Sequence, residues 1–231
     1  MNAPTPLQVR PDAVVFDMDG LMLDSERAII DAFRRAAAEQ GVAIAHDWWL
    51  GTIGQGDAAC RALLAAHVGA VAADAVLERG RALYDERAGR GIPHRPGIVA
   101  LLDLLVRHRV PRAVATSTRR PLALRKLAAS GLADHFDAIC TSSDVARPKP
   151  APDVYRLAAE RLGVPPRRCL ALEDSPTGLR AAHSAGMTVL LVPDLLAPDA
   201  ATRALAHGVA ASLGEVQAML EPLLVQALPV A

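Results

Sequence analysis

Lysine is nearly missing from this sequence. Of 25 basic residues in 231, only Lys126 and Lys149 are lysines, so each of those two positions calls for inspection. An excess of charge of one sign is missing too. Twenty-five acidic residues balance the 25 basic ones, and no basic patch stands out to serve a nucleic-acid partner. Cysteine is scarce: Cys60, Cys140 and Cys169 are odd in number and form no CxxC pair. That excludes a disulfide framework and a thiolate zinc site, and fits a reducing compartment. No run approaches about 18 apolar residues, and the opening residues lack the apolar stretch of a signal peptide. The expectation is a cytoplasmic protein with no membrane partner, a monomer or weak homodimer.

What is present is a chain that is 52% apolar and 22% charged, as globular proteins are. Its length lets it bury roughly 70% of its unfolded surface without staples. Short apolar runs recur at Ala13–Phe16, Ala113–Ala115, Ala138–Cys140, Leu170–Leu172 and Thr188–Val192, with a weaker one at Val209–Ala211. Most are followed by a turn signal and then a helical stripe, such as Ile98, Leu101, Leu102, Leu105 and Val106. Continuous apolar runs suit strands buried on both faces, and the alternation predicts an α/β fold with a doubly wound parallel sheet. From about Ser25 to Pro93 no strand is evident and helical stripes take over. The predicted organisation is a Rossmann-like core from 1–24 and 94–231, with a helical subdomain over 25–93 inserted after the first strand.

In such sheets, ligands bind at the carboxyl ends of the strands. Asp17 and Asp19 follow the first run. Thr116, Ser117 and Thr118 follow the second. Lys149 lies in the loop after the third, and Glu173 and Asp174 follow the fourth. Oxygen donors alone suit Mg2+. Two carboxylates two positions apart can divide attack and proton transfer between them. A hydroxyl and a compact ammonium can hold phosphoryl oxygens where charge accumulates. Lys126, between Leu124 and Leu127 on a helix, reads as a solvated surface residue. A dinucleotide fingerprint, Gly54 to Ala59, fits G-x-G-x-x-A, but the strand that it requires before it is missing.

The segments FDMDGLMLDSE (Phe16 to Glu26), AVATST (Ala113 to Thr118), KPAPDVY (Lys149 to Tyr155) and LEDSPTGLRAAHSAGM (Leu172 to Met187) resemble the four motifs of the haloacid dehalogenase superfamily, in its branch with a helical cap. The resemblance implies a phosphatase acting on a small phosphorylated metabolite through an aspartyl-phosphate. Asp17 would be the nucleophile and Asp19 the acid and base, with Thr116 and Lys149 holding the phosphoryl group. The metal set would be Asp17, Asp19 through its carbonyl, Asp174 and, in support, Glu173. Candidate substrate contacts are Gln55 and Asp57 in the insert, and Ser117 and Arg119 after the second strand. The alternative is a sugar phosphomutase similar to β-phosphoglucomutase. Ile29 where that relative has a hinge histidine weighs against it, and Arg119-Arg120, as a grip on a second anion, weighs for it.

Overall fold

In the computed structural model, which describes residues 7–53 and 57–225, the elements run β1 (Ala13–Phe16), α1 (Ser25–Glu39), α2 (His46–Leu50), α3 (Asp57–Val68), α4 (Ala70–Arg90), α5 (Ile98–Arg107), β2 (Arg112–Ala115), α6 (Arg120–Ala129), β3 (Ala138–Cys140), α7 (Asp153–Leu162), β4 (Cys169–Glu173), α8 (Pro176–Ser184), β5 (Thr188–Leu191), α9 (Ala200–Leu205), β6 (Gly208–Val209) and α10 (Leu213–Val225). The six strands form one parallel sheet in the order β3-β2-β1-β4-β5-β6. The order reverses about β1, the switch point at which such sheets open a crevice. β1 and β4 are buried along their whole length, which is why they read as unbroken apolar runs. Tyr155, Val154 and Ala158 of α7 and Leu179 and Ala182 of α8 join the buried cluster with Val15 and Ala171 of the sheet.

The chain divides into two compact units, one made of the residues up to Leu23 together with those from His94 onward, the other of Asp24–Pro93. The second is all helix, and α1 and α4 make its main contact. Gly80 of α4 makes that approach possible, since a Cβ there would lie 2.6 Å from the Phe33 ring of α1. In α3, Leu64 is buried and Leu63 is exposed. The residues before the fingerprint-like Gly54 to Ala59 include helix α2, with no strand, so the nucleotide pattern lacks its context. No helix among the described residues is long and apolar enough to cross a membrane.

Candidate active site

Asp17 stands one residue past β1, and its N–H donates to the carbonyl of Leu172 at 3.0 Å. Phe16 is level with Leu172 in the ladder, so the next residues, Asp17 and Glu173, emerge side by side at the sheet's carboxyl edge. Thr116 follows β2, with its N–H on the carbonyl of Cys140 at 3.0 Å. Parallel register alone therefore gathers three of the predicted residues, far apart in sequence, at one edge.

Lys149 arrives from the loop before α7. Its ammonium donates to Asp17 Oδ1 at 2.5 Å, to Glu173 Oε1 at 2.6 Å and to the Tyr155 hydroxyl at 3.2 Å. The Tyr155 hydroxyl donates in turn to Glu173 Oε1 at 2.6 Å. Burial, reinforced by the Glu173 and Asp17 charges, pushes the tyrosine well above its ordinary pKa, so it keeps its proton. The other Glu173 oxygen accepts from the N–H groups of Asp174 and Ser175, both at 3.2 Å, and from the Ser175 hydroxyl at 3.1 Å. Glu173 is thus fully buried and bonded at both oxygens.

Asp17, Glu173 and Asp174 each bring a carboxylate oxygen within 4.8 Å of the others. Two of the three, Asp17 and Glu173, share the Lys149 ammonium. Burial raises the Asp17 carboxyl to about 7, against the pull of Lys149 and with the added push of Glu173. Burial alone would lower Lys149, but the Asp17 and Glu173 charges more than reverse it and keep the amine protonated.

Two glycines let these groups approach. Gly20 sits at φ +81°, and a Cβ there would fall 2.1 Å from Asp174 Oδ2. At Gly178, in the first turn of α8, a Cβ would fall 1.6 Å from Glu173 Oε1. Alanine is the better helix former by up to about 1 kcal/mol, yet Gly178→Ala is expected to lower the melting temperature and the activity together. The methyl group must displace the carboxylate that holds Lys149. A thermal melt showing net stabilisation would contradict this packing.

Asp19 is held separately. The Thr118 hydroxyl donates to Oδ2 at 2.6 Å and the Lys126 ammonium to Oδ1 at 2.7 Å. The surface reading of Lys126 is therefore overturned: the side chain is 3% exposed. The buried face of α6 is Ala123, Lys126 and Leu127, while Leu124 is 39% exposed. Taking Leu124 with Leu127 set the stripe one residue out of phase. Thr116 Oγ1 accepts from the Thr118 N–H at 3.0 Å and keeps its own proton to donate.

The other predicted residues are less gathered. Ser117 and Arg119 are exposed. Gln55 lies outside the described residues, and of Asp57 only the backbone, opening α3, is described. Arg120 is engaged elsewhere. It makes a two-pronged bond to Asp144, at 2.9 and 2.7 Å, and donates to the carbonyl of Ile139 at 2.9 Å. Arg120, ahead of the Thr141 bonds, holds the Asp144 carboxyl down at about 2. A second-anion grip by Arg120 would have to break this pair. Tyr155, Ser175 and Lys126 are the residues that sequence reasoning missed. The scarcity of lysine was the available signal for Lys126.

Residues 11–186 match the family model described as haloacid dehalogenase-like hydrolase. The plasmid CbbY protein of Cupriavidus necator is 38% identical over 209 residues, 78% of each chain. The phosphorylated carbohydrates phosphatase of Thermotoga maritima is 30% identical over 214 residues, covering 91% of this chain and 90% of its own. Among solved structures, a hydrolase of this family from Deinococcus radiodurans R1, crystallised with phosphate and sodium, superposes with a TM-score of 0.79 at 32% identity, covering 94% of this chain and 97% of its own.

Proposed function

We propose, for a chain that belongs to the haloacid dehalogenase-like hydrolase family, that it hydrolyses the phosphomonoester of a small metabolite with Mg2+, by way of a phosphate carried on Asp17. The observation that carries this reading is the Asp17–Lys149–Glu173 cluster at the sheet edge, with Asp19 held apart from it by a different lysine. Phosphorylated carbohydrate as the substrate class rests on the Thermotoga maritima relative's name.

Lys149 takes one oxygen of Asp17, and no described residue donates to the other, Oδ2. That oxygen attacks the phosphorus while the ester P–O bond breaks, and Asp19 gives its proton to the departing oxygen. Asp19 then takes a proton from the water that attacks the same phosphorus. The P–O bond to Asp17 breaks, and phosphate leaves with the carboxylate restored. The Thr116 hydroxyl and Lys149 hold the phosphoryl oxygens through both steps. In this reading Ser117 and Arg119, exposed just after β2, contact the rest of the substrate.

The acidic residues fit a hard divalent cation, because the carboxylates outnumber the ammonium and Asp17 is driven up to about 7. Asp17, Asp174 and the backbone carbonyl of Asp19 would hold it. Glu173, already bonded at both oxygens, supports the site by fixing Lys149. When bound, the cation neutralises charge on the phosphoryl group. EDTA is expected to abolish turnover and Mg2+ to restore it. The Mg2+ concentration giving half activity should fall as pH rises through about 7, because a protonated Asp17 must lose its proton to bind. Full activity in chelator would overturn the metal assignment. The function itself is tested by phosphate release from p-nitrophenyl phosphate, then from a panel of phosphorylated metabolites. A chain that releases none from any of them is not a phosphatase. The phosphomutase alternative has less support, since Arg120 is bonded to Asp144.

A further inference from the structure

We propose that Lys126 is a positioning residue for Asp19: with Thr118 it fixes the plane of the carboxyl group that moves the proton. The inference rests on the proton-transfer role given to Asp19 above. Lys126 and Thr118 hold opposite oxygens of that carboxyl, at 2.7 and 2.6 Å. The terminal torsion of an aspartate is broad, so one bond would leave the group free to swing. Two bonds on opposite sides, one of them from a charged donor, hold it.

The cost of the arrangement also points this way. An ammonium that is 3% exposed, on the inward face of α6 beside Ala123 and Leu127, is unfavourable unless it is paired. Apolar residues would suit that face better. Asp19 itself is 23% exposed on its side chain, and so does not need a buried partner for solvation. Lys126 therefore serves Asp19 by holding it. In a chain with only two lysines, each meets one of the two aspartates after β1: Lys149 meets Asp17, and Lys126 meets Asp19. Lysine suits both places because it offers a point donor to one oxygen. An arginine fork would take both oxygens of Asp19 and displace Thr118. Thr118 lies just before α6 and Lys126 within it, so the two holds sit close together in the chain.

The test uses a series of phenyl phosphates whose leaving groups range from phenol to 2,4-dinitrophenol. For Lys126→Met, kcat/KM on phenyl phosphate should fall about 10²-fold. The loss should shrink as the leaving group improves, because dinitrophenolate departs without a proton. The same variant should show a burst of dinitrophenolate, as the phospho-enzyme waits for water. Thr118→Val should change the leaving-group dependence in the same direction. In an Asp19→Asn background, Lys126→Met should add little, since the group that it positions is gone. Should Lys126→Met fail to fold, Lys126→Gln, which keeps an N–H donor, takes its place and should lie between wild type and Asp19→Asn in the series. Equal losses along the whole series, or a loss that adds in full to that of Asp19→Asn, would overturn the inference. Its failure is distinguishable from failure of the phosphatase reading: there, wild type itself releases no phosphate from any ester.

Discussion

Asp17→Asn is expected to release no phosphate and to trap no labelled phosphate on the protein, while Asp19→Asn turns over slowly and accumulates label from an activated ester. The two substitutions remove one charge each, two residues apart, yet their environments differ. Asp17 is buried beside Lys149 and Glu173, at the point where a phosphoryl group would meet the Thr116 hydroxyl. Asparagine there keeps the shape and a bond to Lys149 but has no anionic oxygen to attack with. Loss of a nucleophile of this kind costs on the order of 10⁶-fold. Asp19 faces Thr118 and Lys126 instead. Its loss removes proton transfer, commonly worth about 10²–10⁴-fold, while the attacking carboxylate stays intact. Acid quench of each variant after mixing with a labelled aryl phosphate measures both quantities. Label retained by the Asp17→Asn protein would reverse the roles.

Lys149→Met is expected to cost both activity and fold stability, the latter by about 3–5 kcal/mol near neutral pH, because it leaves buried carboxylates without their counter-charge. The effect should depend on pH in a set direction. Asp17 in the folded metal-free chain titrates at about 7 rather than at 3.8, chiefly through burial, so between those values the folded state binds more protons than the unfolded one. Stability from this group is present below the unfolded value and is lost as pH rises through the folded value. In wild type, Lys149 limits that loss. In the variant it is unopposed, so the gap between the two proteins should widen from pH 5 to pH 8. Urea unfolding of the two metal-free proteins at several pH values reads this directly. A gap that narrows with rising pH would mean that Lys149 does not compensate these carboxylates. Methionine keeps the length of the stem, so the comparison isolates the charge.

The strands were legible because a two-face-buried strand must be apolar at every position, and Val14-Val15-Phe16 and Leu170-Ala171-Leu172 have no other easy reading. The chemistry at their ends was legible for a related reason. A carboxylate or hydroxyl directly after such a run has to emerge at the sheet's edge, which is where Asp17, Thr116 and Glu173 stand. The helical insert was legible as a break in that alternation. What stayed hidden depended on which way a helix turns about its own axis. Leu124 and Leu127 offered one phase for α6, and Ala123 and Leu127 the other. Only the folded chain chose the second, burying Ala123 and Leu127 and bringing Lys126 to Asp19. Arg120 likewise looked available until the turn after β3 brought Asp144 to it. The sequence by itself determined the order of the strands along the chain and the kinds of group at their carboxyl ends, since local pattern and burial dictate both. The tertiary structure alone decided which lysine meets which aspartate, because hydrogen bonds of 2.5 to 2.7 Å between residues more than a hundred positions apart exist only once the sheet and its helices have packed.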